Sequence, residues 1–197
     1  DALMYAFSTN DSWTIREILP NQSGQYASLV VDTNNGDVPQ IASFDSTNNT
    51  LEYAKYVDSG GNCGFNSSAT QFEWQCDVIE SLGTAEAPRG ISLELDSDHF
   101  PMITYQSGEN IIKVARPVNA IGQLIGNCGP EESLFYSWQC DIISAGIGYE
   151  QGDYISHSVS SSGLTTIAYY GNIPSLPGNL RIAYQRFQVY LPLCQTD

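Results

Sequence analysis

Ile91 to Ala115 reads ISLELDSDHFPMITYQSGENIIKVA, three short apolar runs separated by turn residues. ISLEL, PMITYQ and IIKVA alternate in polarity or are rich in β-branched and aromatic side chains, as strands buried on one or both faces are. DSDHF and SGEN between them carry the Asp, Ser, Gly and Asn of tight turns. A shift of 64 residues lays ASLVVD, with Ser28 and Asp32, on ISLELD, with Ser92 and Asp96. A second shift of 64 reaches ISHSVS, with Ser156 and Ser160. The stretch is therefore the middle copy of a period.

The period extends to the neighbouring runs. PQIASF from Pro39, PMITYQ from Pro101 and TTIAYY from Thr165 follow the first run in each copy. A third run, Leu-x-Tyr-Ala or a close relative, occurs at Leu3, Leu51, Ile112 and Leu180. Tryptophan opens a fourth run in WTIREI (Trp13), WQCDVI (Trp74) and WQCDII (Trp138), with FQVYLPL from Phe187 as a degenerate fourth copy. Each unit is read as a four-stranded antiparallel meander. One such sheet cannot bury both faces alone, so repeated units must stack, which makes the expected fold an all-β β-propeller. The chain is expected to be one domain, 1–197, made of a half blade at 1–20 and blades at about 25–82, 89–145 and 153–191.

The wording of the repeat, SL-x-x-D, then Pro-x-Ile-x-Tyr, then Leu-x-Tyr-Ala, then Trp, is similar to the blades of bacterial secreted β-propeller repeat proteins, a group that includes sugar-binding propeller lectins. The resemblance covers nearly the whole chain and implies the fold. Its residues are strand and packing positions, so it implies no particular ligand.

About three and a half blades make an incomplete ring, because both ends carry third and fourth strands and nothing supplies the missing first two; propellers close with four to eight blades. The expectation is a fragment of a longer propeller, a chain completed by another protein or by a second copy, or an open array with exposed edges. The first residue is Asp1, with no signal peptide, so an export signal has been removed or the chain is a piece of something longer.

Lys plus Arg number 7 against 22 Asp plus Glu, a formal charge of −15. That surface repels polyanions, which argues against nucleic acid and anionic membranes as partners. No run approaches the roughly 18 apolar residues of a membrane span. Of five cysteines, two pairs are matched: GNCG…WQCD at Cys63 and Cys76, and again at Cys128 and Cys140. Equivalent placement in two repeats predicts bridges Cys63–Cys76 and Cys128–Cys140, and with them an oxidising compartment: extracellular, cell-surface or periplasmic. A four-cysteine zinc site would need ligands from two blades without C-x-x-C spacing, so no metal or other cofactor is expected. Cys194 is left over.

Ala6 and Trp13 lie 7 residues apart, Ala54 and Trp74 20, Ala115 and Trp138 23. The longer connections hold Cys63 and Cys128, and bridged surface loops are where recognition is commonly placed. The loops entering the innermost strands, GQYAS, APRGIS and GDYIS, offer Tyr26, Arg89, Asp153 and Tyr154 as candidate ligand-binding residues. Asp32-Thr-Asn-Asn-Gly-Asp37 is a polar hairpin turn rather than a calcium loop, since no twelfth-position Glu follows. His99 stands in a turn and His157 within a strand, with no nucleophile placed to complete a triad. Asp77 and Asp141 recur because the blade recurs, and are read as structural. The arginine cluster and the Ser-x-Asp-x-Gly-x-Thr-Trp turn of sialidase-type propellers are lacking. The leading expectation is a non-catalytic module for protein interaction or assembly. The alternatives are a carbohydrate-binding lectin, which would use the exposed aromatic faces, and a glycoside hydrolase, which needs two carboxyl groups in one pocket. Asn10, Asn21, Asn48 and Asn66 begin N-x-S/T sequons, used only if the source glycosylates.

Overall fold

The computed structural model describes residues 2–20, 23–83, 90–107, 111–118, 125–128, 136–145, 151–173 and 176–185. They form four antiparallel sheets and include the 3-10 segment Thr33–Asn35. The first sheet pairs β1 (Leu3–Thr9) with β2 (Ser12–Leu19). The second holds β3 (Gln25–Asp32), β4 (Val38–Asp45), β5 (Thr50–Tyr56), β6 (Cys63–Asn66) and β7 (Gln71–Ser81), in the order β3-β4-β5-β7-β6. The third runs β8 (Ile91–Leu95), β9 (Pro101–Ser107), β10 (Ile111–Pro117), β11 (Trp138–Ala145). The fourth runs β12 (Gln151–Val159), β13 (Thr165–Ile173), β14 (Leu176–Gln185).

Turn chemistry sets the first hairpin. Asn10 and Asp11, at φ 50° and 63°, are both left-handed, as a two-residue turn between right-twisted strands requires. The four strands expected of the first full blade, at about 25–82, all fall within those limits. The expected four-stranded unit gains a fifth strand there. The connection holding Cys63 folds back as β6 and pairs with β7 through Cys63–Trp74 and Phe65–Phe72, which satisfies backbone groups that a long loop would leave open. In the third sheet the same place carries the single bridge Cys128–Trp138. The fourth strand expected from Phe187 lies outside the described residues.

Successive sheets stack face to face. We call the face turned to the following sheet the leading face and the other the trailing face. Leu3 and Ile18 of the first sheet pack on Ile41, Ala54, Cys63 and Trp74 of the second. The leading residues Ala42, Phe44, Leu51, Tyr53 and Ile79 of the second meet Ile91, Leu93, Ile103, Tyr105, Ala115, Trp138 and Cys140 of the third. Met102, Ile112 and Val114 of the third meet Ile167 and Tyr169 of the fourth. Each large side chain buried in these interfaces contributes about 1.5–3 kcal/mol by removal from water. Among the described residues no strand pairing joins the first sheet to the fourth.

Candidate functional site

The contact between sheets is itself a repeat. Tyr5 of the first sheet meets Trp74 of the second edge to face, centroids 5.2 Å apart at 69°. Tyr53 of the second meets Trp138 of the third in the same way, at 5.3 Å and 67°. On the inner strands, the Leu93 amide donates to Ser28 Oγ at 3.0 Å and the His157 amide to Ser92 Oγ at 3.1 Å. Ser28, Ser92 and Ser156 pair with Ala42, Thr104 and Ala168, so they share one register position. Tyr53, Val114 and Ile182 likewise pair with Ala42, Thr104 and Ala168.

At the ends of the stack these positions are uncovered. Trp13, at the place of the buried Trp74 and Trp138, is 71% exposed, beside Ile15 and Met4. Ile182, at the place of Tyr53, is 62% exposed, and Ser156 is exposed. Leu29, at the place of Leu93, is 52% exposed where Leu93 is 3% exposed.

The outer rim is held by a clamp repeated in the two bridged loops. Cys63–Cys76 and Cys128–Cys140 are disulfide-bonded. Asn62 accepts the Cys76 amide at 2.7 Å and donates to the Cys76 carbonyl at 2.9 Å, and Asn127 does the same with Cys140 at 2.7 and 3.0 Å. A Cβ on Gly61 or Gly126 would lie 2.0 Å from the carbonyl oxygen of Trp74 or Trp138, so only glycine fits. The Gly-Asn-Cys motif is thus more than a turn: the asparagine amide stands in for a strand residue. Its recurrence 65 residues apart was the available signal.

The candidate residues of the inner loops are not gathered into one site. Tyr26 and Tyr154 occupy equivalent bulges at the starts of β3 and β12, both left-handed (φ 53° and 55°) and exposed. Their strands are separated by β8, and no described contact joins the two side chains. Arg89 lies outside the described residues, as does the Asp153 side chain. A left-handed tyrosine is uncommon, and two at matching positions mark these bulges as built features.

Two clefts among the described residues hold oppositely charged partners. One of about 360 Å³ between the third and fourth sheets is lined by Met102, Val114, Arg116, Asp141, Ile142 and Ile167, among others. Burial pushes the Asp141 carboxyl up, but hydrogen bonds from Gln139 and Arg116 and the guanidinium charge hold it below its ordinary value. The Arg116–Asp141 ion pair spans 2.8 Å. Asp77, its counterpart, accepts the Tyr136 amide at 3.0 Å, so both repeat aspartates tie structure together. The second cleft, about 400 Å³ at the tips of the inner hairpins, is lined by Asp32, Glu94, Asp96, Ser97, His99 and others. Here His99 Nδ1 lies 3.0 Å from Asp32, and Asp96 accepts the Asp98 and Phe100 amides. Among the described residues no three His, Cys, Asp or Glu side chains are placed to hold a metal ion.

The Glu52 carboxyl is raised to about 7 by burial and by Asp45, with a Ser23 hydrogen bond opposing. It is 9% exposed on the trailing face, and Asp45 is occupied by the Thr47 and Asn48 amides. His157, 4% exposed at the register position of Leu93, has no hydrogen-bond partner at either ring nitrogen. Burial lowers its pKa from 6.5 to about 4, only partly opposed by the Ser92 backbone nearby. The unfolded state therefore binds the proton more tightly, and the native state loses stability as pH falls from about 6.5 towards 4, by up to about 3 kcal/mol. Replacing it as His157→Leu is expected to raise the urea midpoint more at pH 4.5 than at pH 7.5; an equal change at both pH values contradicts this.

Of the sequons, Asn66 is buried and its amide nitrogen is bonded to Glu73, Asn48 donates to Asp45, Asn21 lies outside the described residues, and Asn10 sits in an exposed turn. Among the described residues no helix is long and apolar enough to cross a membrane. No protein-family model, curated protein or solved structure matches this chain.

Proposed function

We propose that the chain is a non-catalytic interaction or assembly module of the β-propeller type, working in an oxidising compartment outside the cytoplasm. It binds other protein through the open faces and edges at the ends of its stack and through the two bridged loops. The observation that carries this reading is the recurrence in register of the Tyr–Trp and Ser–amide contacts, together with the exposure of the same positions at both ends. Apolar positions that are buried wherever a neighbour is present mark surfaces that bury on association. A photo-cross-linking residue in place of Trp13 or Ile182, used in the protein's native setting, is expected to capture polypeptide that the same probe at exposed Ser67 does not. Equal labelling at all three positions, or none at the end faces, counts against the reading.

A second reading, sugar binding, is favoured by the exposed Tyr26 and Tyr154. An aromatic face held rigidly in water is a ready surface for a saccharide ring. On a glycan array this reading requires specific hits that are lost in Tyr154→Ala.

A further inference from the structure

We infer that the cleft at the tips of the inner hairpins is a binding site for a basic side chain, lysine or arginine, of another polypeptide, with the Asp32 carboxylate as its anchor. This surface is separate from the end faces and the bridged loops, so the inference goes beyond the interaction reading above.

The repeat shows what is unusual at Asp32. Asp32, Asp96 and Ser160 stand at one position of the 64-residue period, where each inner strand enters its hairpin turn. In the third and fourth sheets five residues, 96–100 and 160–164, separate the pairs Leu95–Pro101 and Val159–Thr165. Both of these turns satisfy the shared position from within. Asp96 Oδ1 accepts the Asp98 and Phe100 amides, each at 2.9 Å, and Ser160 Oγ accepts the Leu164 amide at 3.0 Å. The first turn is two residues longer, 32–38 between Val31 and Pro39, and passes through the 3-10 segment Thr33–Asn35. It returns no amide to the Asp32 side chain.

The Asp32 carboxylate is nevertheless buried. The residue is 2% exposed, and neither of its oxygens receives a hydrogen bond. His99 of the next hairpin brings Nδ1 to 3.0 Å from Oδ1, within ion-pair range, from a left-handed turn position (φ 66°) and with its side chain 41% exposed. One repeat later the place of His99 is taken by Gly163, so the imidazole belongs to Asp32 and not to the blade pattern. A carboxylate withdrawn from water without donors is costly to keep, and it gains most from a cation.

The rest of the cleft says which cation. Glu94 and Asp96 line it together with Asp32 and His99, and no lysine or arginine is among its described lining residues. Burial holds the Glu94 carboxyl above its ordinary value, the sign of a carboxylate short of water. Among the described residues no three acidic or histidine side chains are placed to share a metal ion, so the fitting cation brings its own N–H donors. Val30 and Leu95 line the same cleft, which suits a charge carried on a methylene stem. Asn34, Ser97 and Ser161, one from each of three successive tips, offer hydrogen bonds to the main chain that carries the stem. Bound there, the basic group takes the place of His99 beside Oδ1, and the imidazole turns into water.

The probes are end-blocked pentapeptides with arginine, lysine or norleucine between glycines, added to the folded full chain at constant ionic strength. The two basic peptides should give saturable amide shifts at residues 32, 94–99 and 161, with a dissociation constant of roughly 1 mM, as a few contacting atoms allow. The norleucine peptide should bind at least about ten times more weakly, as should the arginine peptide to Asp32→Asn. His99→Ala, which uncovers the carboxylate, should tighten binding, and Glu94→Gln should weaken it by about threefold. These two variants decide the matter if Asp32→Asn does not fold. The inference is overturned if neither basic peptide shifts these amides, if norleucine binds as well, or if the carboxylate and His99 variants leave the affinity unchanged. Methylguanidinium or calcium chloride binding as tightly as the peptides also overturns it, since the cleft would then be a site for small cations.

Discussion

Trp138→Ala and Trp74→Ala are each expected to destabilise the protein by about 3–5 kcal/mol, whereas Trp13→Ala costs under about 1 kcal/mol. The three tryptophans occupy one position of the repeat and each pairs with the third strand, while Trp74 and Trp138 also pair with Cys63 and Cys128 of the bridged loops. Their burial differs: Trp138 is 0% exposed and Trp74 2%, against 71% for Trp13. Truncating Trp138 removes the edge contacts to Tyr53 and Tyr136 and opens a cavity under the second sheet. Truncating Trp74 does the same to Tyr5 and Tyr56. Among the described residues no sheet lies over Trp13, so little packing is lost. Urea titrations of the three variants give the ranking. Equal losses would mean that the tryptophan acts within its own strand pair and that the sheet-to-sheet contact contributes little. Bound to a partner that covers the first sheet, Trp13→Ala should become as costly as the others.

Removing either disulfide is the second large effect. The bridges close segments of 13 and 12 residues, and the chain-entropy account gives about 3 kcal/mol for each. Cys63→Ala with Cys76→Ala, and Cys128→Ala with Cys140→Ala, should each lower the unfolding free energy by about 2–4 kcal/mol, and reductant should do the same to the unaltered protein. The local consequences differ. The first loop keeps the β6–β7 ladder from Cys63 to Gln71, so its amides should stay protected from exchange without the bridge. In the second loop the described backbone pairing is the single bridge at Cys128, besides the Asn127 clamp, and protection there should fall further. Unchanged unfolding in both pairs of variants would show that the clamps alone hold the rim.

Much of the architecture was legible because it repeats. A single ISLEL could be strand or buried helix, but Ser28, Ser92 and Ser156 at one spacing tie three segments to one role, and the strand limits followed from turn residues. The disulfides were legible for the same reason. β6 was not, since CGFN is too short to carry a period and forms only because β7 extends to meet it. The candidate site was less legible. Loop position alone singled out Tyr26 and Tyr154, and nothing in their sequence indicated left-handed backbone at either tyrosine. The exposure of Trp13 was also hidden, because its sequence context is that of a buried residue. What differs is that no described sheet lies over it, which its local sequence does not encode. His157 shows the converse: a polar side chain in a leucine's place, readable only once the register of β12 on β13 is known.

The serine-to-amide links join each inner strand only to the one before it. A stack coupled in this way behaves as a one-dimensional array, in which the free energy is a sum of unit terms and nearest-neighbour terms. Among the described residues the second and third sheets, covered on both faces, then carry two coupling terms each, while the first and fourth carry one each. Opening should begin at the ends and move inward, so that a partner seated at either end would slow unfolding of the whole array without touching its centre.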